Sequence, residues 1–177
     1  LAVNAGVVYA GGSFTSIGGQ ARSRVAALDA ATGLATAWNP NAVSGFVQTL
    51  GVSGGTVYVG GSFASIGGQT RSRVAALDAA TGLATSWNPN AGGTVYALGV
   101  AGGSVYVGGD IKTVGGQARN NVAALDAFGA PTTWSPNVDS QIEALAVAGG
   151  TVYVGGWFTS AGGQVRNRIA ALDATTG

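Results

Sequence analysis

The chain has 177 residues, of which 32 are glycine and 46% are hydrophobic. Its 8 basic and 7 acidic side chains leave a net charge of +1. That excludes an electrostatic nucleic-acid binder, which needs a basic stripe to displace counterions, and a charged disordered tail. Cysteine and histidine are absent, which removes disulfides, thiolate metal sites, thiol nucleophiles and the usual neutral-pH proton shuttle.

The dominant signal is an internal repeat. The string VYAGG at Val8 returns as VYVGG at Val57, Val105 and Val152. Gly-Gly-Gln recurs at Gly18, Gly67, Gly115 and Gly162, and Ala-Leu-Asp-Ala at Ala27, Ala76, Ala124 and Ala171. Trp-Asn/Ser-Pro-Asn appears three times, at Trp38, Trp87 and Trp134. From Val8 to Ala42 the first copy differs from the second only at Ala10, Thr15, Ala21 and Ala37. The tyrosines Tyr9, Tyr58, Tyr106 and Tyr153 step by 49, 48 and 47 residues. The length changes fall before Val47 and before Trp134, in stretches rich in small and turn-forming residues, as surface connections allow.

In chain order, each repeat predicts four short strands. In the second copy these are Val47 to Val52, Thr56 to Phe63, Arg73 to Asp78 and Leu83 to Asn88. Ser-Gly-Gly joins the first pair, and a loop from Ala64 to Ser72 carries the Gly-Gly-Gln. Ala-Ala-Thr-Gly joins the last pair, and Asn-Pro-Asn leaves the unit. Glycine recurs too often for a capped amphipathic helix.

Side-chain alternation suggests how the sheets stack. In the first strand of the third copy, Tyr96, Leu98 and Val100 are expected on one face and Val95, Ala97 and Gly99 on the other. A sheet with a bulky and a small face nests against its neighbour. Four-stranded units of this length, packed face to face, predict an all-β fold: a β-propeller with four-stranded antiparallel blades. Four blade repeats are expected, at approximately 1–46, 47–94, 95–141 and 142–177, within a single propeller segment 1–177. A stacked β-solenoid is the alternative.

The stretch GGSFASIGGQTRSRVAALDAATGLATSWNPNAGGTVYALGV resembles the delta-60 repeat of bacterial β-propellers. That family shows Gly-Gly-Asp/Ser-Phe, Asn/Ser-Arg before the third strand and Phe-Asn-Pro-Gly at the blade end; here the last element is Trp-Asn-Pro-Asn. The resemblance implies the fold, and a place in a large surface or secreted bacterial protein. ALDAATGLATSW is similar to the tryptophan-docking motif of quinoprotein propellers. That likeness implies a blade-to-blade packing role for Trp38, Trp87 and Trp134, with no quinone or calcium role carried over.

Leu1 aligns with Leu50, Leu98 and Leu145, and Gly177 with Gly33 and Gly82. The fourth blade is therefore expected to be incomplete, without its outer strand. The expectation is a segment of a longer array whose ring holds seven or eight blades, closed by further blades of the same polypeptide or by a second copy.

Asp29, Asp78, Asp126 and Asp173 precede turns and are expected to cap them. A calcium loop of the Asp-x-Asp-x-Asp type is absent, so no metal is expected. Alternating strand direction gathers Gln20, Gln69, Gln117 and Gln164 with Arg22, Arg71, Arg119 and Arg166 at one end of the blades. The Asn/Ser-Pro-Asn turns, with Asn41, Asn90 and Asn137, lie at that same end. Amide and guanidinium groups suit a glycan or peptide surface; the competing reading is that they satisfy loop backbone groups. Asp139 and Glu143 are close in sequence but on different elements, a poor acid pair for glycoside hydrolysis. VYVGG lacks the following helix a phosphate loop needs.

These residues suggest a non-enzymatic extracellular or cell-surface module that binds a glycan or protein through polar loops. It would need no cofactor, nucleic acid or membrane insertion. A structural spacer or assembly element of a large bacterial surface protein or filament is the alternative. A quinoprotein-type enzyme is disfavoured by the missing His, Cys and convergent acids.

Overall fold

The computed structural model describes residues 1–177. No helix forms, and strands group into four three-stranded antiparallel sheets and four small hairpins. The chain divides into two compact units, Leu1–Asn88 and Pro89–Gly177, each described by itself.

In the first unit, Ala2–Asn4, Val7–Gly11 and Val25–Asp29 make one sheet, with Val7–Gly11 central. Val47–Ser53, Thr56–Gly61 and Val74–Asp78 make the other, with Thr56–Gly61 central. The second unit repeats this plan. Val95–Ala101, Ser104–Gly109 and Val122–Leu125 form one sheet; Ile142–Ala148, Thr151–Gly156 and Ile169–Asp173 form the other. This is the β-propeller class of fold, and each sheet is a blade.

Two sequence expectations need correction. The fourth strand of the first three blades shrinks to one bridge: Leu28 with Ala35, Leu77 with Ala84, Leu125 with Pro131. In the first two blades it keeps two bonds to the third strand, Asp29 N–H to Leu34 O and Thr36 N–H to Ala27 O, and likewise Asp78 to Leu83 and Thr85 to Ala76. The ladder stops there because Thr36 O and Thr85 O accept from the Arg22 and Arg71 guanidinium groups rather than from a third-strand N–H. The outer edge is taken by the Gly-Gly-Gln element: Ala35 N–H donates to Gly18 O at 2.9 Å and Ala84 N–H to Gly67 O at 3.0 Å. That element is itself a hairpin rather than a loop: Ser65–Ile66 pairs with Gln69–Thr70 around Gly67 and Gly68, whose φ of 61° and 78° fit a tight two-residue turn.

The alternation expected along the first strands is also broken. The register shifts between Val47 and Thr49, Val95 and Ala97, and Ile142 and Ala144. A bulge puts one extra residue in a strand and flips the parity beyond it. Val95 therefore joins Leu98 and Val100, and Tyr96 is the extra residue. The facing glycine makes room, since a Cβ on Gly61, Gly109 or Gly156 would meet the carbonyl oxygen of Phe46, Thr94 or Gln141.

The bulge adds a large residue to the bulky face, which then nests on the small face of the preceding blade. In the first unit Val47, Val57, Val59 and Leu77 pack over Tyr9, Val25 and Ala27. In the second, Ile142, Val152, Val154 and Leu172 pack over Tyr106, Val122 and Ala124. The close approach requires glycine: a Cβ on Gly108 would lie 2.7 Å from Ile142 Cγ2, and one on Gly99 2.8 Å from Leu145 Cδ2. Burying an aliphatic side chain of this size contributes about 1.5–3 kcal/mol.

Candidate functional site

The tryptophans tie blades together. Trp38 stands edge-on to Tyr9, ring centroids 5.2 Å apart, and its indole N–H donates to Asp78 O at 3.0 Å. Trp134 does the same with Tyr106 at 5.3 Å and Asp173 O at 2.8 Å. Trp87 stands edge-on to Tyr58 at 5.4 Å. The Asp side chain meanwhile holds its own turn. Asp78 Oδ1 accepts from the Thr81 backbone at 2.7 Å, the Thr81 hydroxyl at 2.8 Å and Ala80 N–H at 3.1 Å. Asp29 repeats this set, Asp173 does so with Thr175 and Thr176, and Asp126 accepts from Phe128 and Ala130 N–H. The bonds to Asp29, Asp78 and Asp173 favour the carboxylate. The Thr32 and Thr81 hydroxyls hold Asp29 and Asp78 below the ordinary range, and the Thr176 N–H does so for Asp173.

The Asn/Ser-Pro-Asn exits and the Gly-Gly-Gln hairpins meet by the same bond at three places. Pro40 O accepts from Gly67 N–H at 2.7 Å, Pro89 O from Gly115 at 2.6 Å and Pro136 O from Gly162 at 2.8 Å. Asn41, Asn90 and Asn137 sit at φ 53°, 53° and 49°, the left-handed conformation that asparagine tolerates best among residues with a side chain. Beside this contact the first unit opens a cleft of 540 Å³ whose polar lining includes Asn39, Asn41, Ser65, Gln69, Thr70 and Thr81. The second unit opens one of 520 Å³, with Ser135, Asn137, Ser160, Gln164 and Thr176. No ionisable side chain lines either. Exposed aliphatic groups do: Val43 and Leu83 in the first, Val165 in the second.

The structure therefore brings Asn41 to Gln69 and Asn137 to Gln164, and places Gln20 and Gln117 at the equivalent position of their own hairpins. It does not bring the arginines into those clefts, although Arg119 donates to Gln117 Oε1 at 3.0 Å and Arg166 lines a smaller hollow with Gln164. Arg71 donates to Thr85 O at 2.6 Å and Thr70 O at 2.8 Å. Arg22 turns to Thr36 O and Ala21 O, and Arg119 to Thr132 O and Ala118 O. Arg166 donates to Val165 O. Asp139 and Glu143 have separate partners: Asp139 takes Thr159 and Ser160, and Glu143 takes the Gln141 amide.

Four residues were missed by the sequence reading as a set. Arg24, Arg73, Asn121 and Arg168 all have φ of 65–66°. Arg24 donates to Ala42 O at 3.0 Å, and buried Asn121 reaches Val138 O at 2.8 Å. Arg24 and Asn121 thus clamp the exits of their own blades. The exchange of arginine for asparagine at one equivalent position was the available clue, since asparagine is a common left-handed residue.

Comparison with known proteins agrees with this architecture. A domain of unknown function described as a β-propeller (DUF5122) matches residues 55–79 and 150–175. The crystal structure of the computationally designed Ika4 protein is similar at 15% identity and a TM-score of 0.64, covering 99% of this chain and 89% of that one. The computationally designed Ika8 protein is similar at 15% identity and 0.63, covering 99% of this chain and 58% of that one. BamB from Moraxella catarrhalis is similar at 16% identity and 0.48, covering 97% of this chain and 55% of that one. No curated protein matches. The family match shows a β-propeller fold, and the likeness to the two designed proteins, over 99% of this chain, shows that they share its fold.

Proposed function

We propose that this chain is a non-enzymatic interaction module of the delta-60 kind, displayed outside or on the surface of a bacterial cell, that binds neutral glycans in its blade-end clefts. The observation that carries the reading is the recurrence of one cleft in both units. Each combines an Asn-Pro-Asn or Ser-Pro-Asn exit with a Gly-Gly-Gln hairpin, offers amides and hydroxyls, and is lined by no charged side chain. Pyranose rings offer hydroxyl edges to such amides and C–H faces to aliphatic groups such as Leu83 and Val165. Few polar groups in a concave site fix orientation, as small-ligand sites require. The charge-poor, cysteine-free composition supports an exported setting.

The arginines, engaged mainly with backbone carbonyls, serve as scaffold in this reading. The test is an array of neutral and acidic oligosaccharides probed with the intact chain and with Gln69→Ala/Gln164→Ala. The expected result is retention on neutral glycans, weakened roughly tenfold or more by the double substitution, about 1.4 kcal/mol of lost hydrogen bonding. Retention confined to acidic glycans, no retention at all, or binding indifferent to the substitutions overturns the reading.

A further inference from the structure

One face of the fourth blade, bearing Ala144, Ala146, Tyr153, Gly155 and Ile169, is open to solvent. Tyr153 is 47% and Ile169 72% exposed, and an apolar hollow of 250 Å³ lies among them. The equivalent face is covered elsewhere in each unit. On the third blade, Tyr106 and Val122 are buried under Ile142, with Leu145 and Val147 packed alongside. On the first, Tyr9 and Val25 are buried under Val47, with Leu50 and Val52 alongside. The chain thus shows twice what fits this surface: a first strand with leucine and valine two residues apart.

The first strand of the first blade carries the same pair. Leu1 and Val3 are the repeat equivalents of Leu50 and Val52, and of Leu145 and Val147. They are 85% and 69% exposed. We infer that a second copy of this chain docks head to tail, with Leu1 and Val3 of one copy seated on Tyr153, Gly155 and Ile169 of the other. The contact is heterologous, so copies join into a closed ring or an extending chain. The same apolar burial that holds blades together within each unit drives it.

Gly155 gives a sharp test. Its equivalents have no room for a side chain: a Cβ on Gly108 would lie 2.7 Å from Ile142 Cγ2, and one on Gly11 3.3 Å from Leu50 Cδ1 and closer still to Val47. A Cβ on Gly155 meets only Arg168 O at 3.8 Å and Ala144 Cβ at 3.9 Å, which is ordinary contact. Gly155→Leu therefore leaves the single chain intact and blocks the docked one. Val3→Asp blocks the other half of the contact.

The experiment is sedimentation of the full chain over a micromolar concentration series, with both variants and their equimolar mixture. The unaltered chain is expected as a dimer or larger. Each variant alone is expected as a monomer, with association weakened roughly tenfold or more. The mixture is expected to regain a complex of two chains and no more, because one variant keeps its seat and the other its strand. Unchanged circular dichroism separates lost docking from lost folding; Tyr153→Asp replaces Gly155→Leu in the mixture should the latter melt. A monomer at every concentration overturns the inference. So does an assembly indifferent to both substitutions, or a mixture that stays monomeric.

Discussion

Gly108 and Gly155 hold the same place in consecutive blades of the second unit, yet they do different work. Gly108 is buried where Ile142 of the next sheet presses against bare backbone, whereas Gly155 faces an open surface. Trp134 and Trp157 of this unit, which stand at different repeat positions, differ likewise in cover. Trp134 is 4% exposed and bonded through its indole nitrogen. Trp157 is 63% exposed, with the Arg168 guanidinium 6.0 Å from its ring centre. A repeated sequence thus carries repeated letters whose weight depends on whether the next sheet covers them.

The largest way to break this contrast is to fill the covered glycine. Gly108→Leu should destabilise the second unit by ~3 kcal/mol, because the inserted side chain must displace Ile142 within a packed core. The same substitution at Gly155 should change the stability of the single chain by no more than ~0.5 kcal/mol. Chemical denaturation of both variants, under conditions where copies do not associate, checks the difference. Equal losses at both positions would mean that strand propensity, not the covering sheet, sets the requirement for glycine.

Next in size is the clamp. Asn121→Ala removes a buried donor to Val138 O and places a Cβ residue at φ 66° without a compensating bond. The lost hydrogen bond and the left-handed strain together predict a loss of about 2–3 kcal/mol. Asn121→Gly relieves the backbone and should recover part of it. If the two variants melt together, the backbone conformation contributes nothing.

The tryptophans follow. Trp134→Phe keeps the ring against Tyr106 but leaves Asp173 O without its indole donor, at a cost of about 1–2 kcal/mol. Trp157→Phe should fall within ~0.5 kcal/mol, as expected of an exposed side chain. Thermal melts of the pair measure the gap.

The fold was legible because its determinants repeat in sequence: the valines around Tyr58, the Asp-x-x-Thr-Gly turn and the tryptophan exits each recur. The capping role of Asp78 was readable from Thr81 and Gly82 alone, because an Asp oxygen bonds the backbone two and three residues on. What escaped was non-local. The bulge opposite Gly109 depends on which residue faces the first strand, so Tyr96 and Val95 were assigned to the wrong faces. The fourth strand stops where Thr85 O accepts from the Arg71 guanidinium, fourteen residues away, which local propensity does not encode. At the candidate site, shared blade ends predicted that Asn41 and Gln69 would meet. They could not predict that Arg71 would turn to Thr85 O, since a long guanidinium reaches several carbonyls.

The smallest contrast lies between Val43 and Asp139, which hold equivalent places in the two units. Both donate a backbone N–H to the hairpin beyond, Val43 to Ser65 O and Asp139 to Ser160 O. Asp139 adds side-chain bonds to Thr159 N–H at 2.9 Å, the Thr159 hydroxyl at 2.6 Å and Ser160 N–H at 3.0 Å. The Thr159 hydroxyl, then the Ser160 and Thr159 N–H groups, hold its carboxyl down at about 2, against roughly 3.9 for an unfolded aspartate. A carboxylate depressed in the folded state contributes stability that is fully present above the unfolded value and is lost as protons bind. The contribution should therefore hold above about pH 4 and fade as the pH drops through about 2. Asp139→Val, which installs the residue of the first unit, should flatten the acid limb of the stability profile in that window and leave its shape above pH 4 unchanged. Denaturation midpoints across the acid range decide it. Parallel acid limbs for the two proteins would assign that part of the pH dependence to Asp173 and the other turn-capping aspartates rather than to the one position where the units differ.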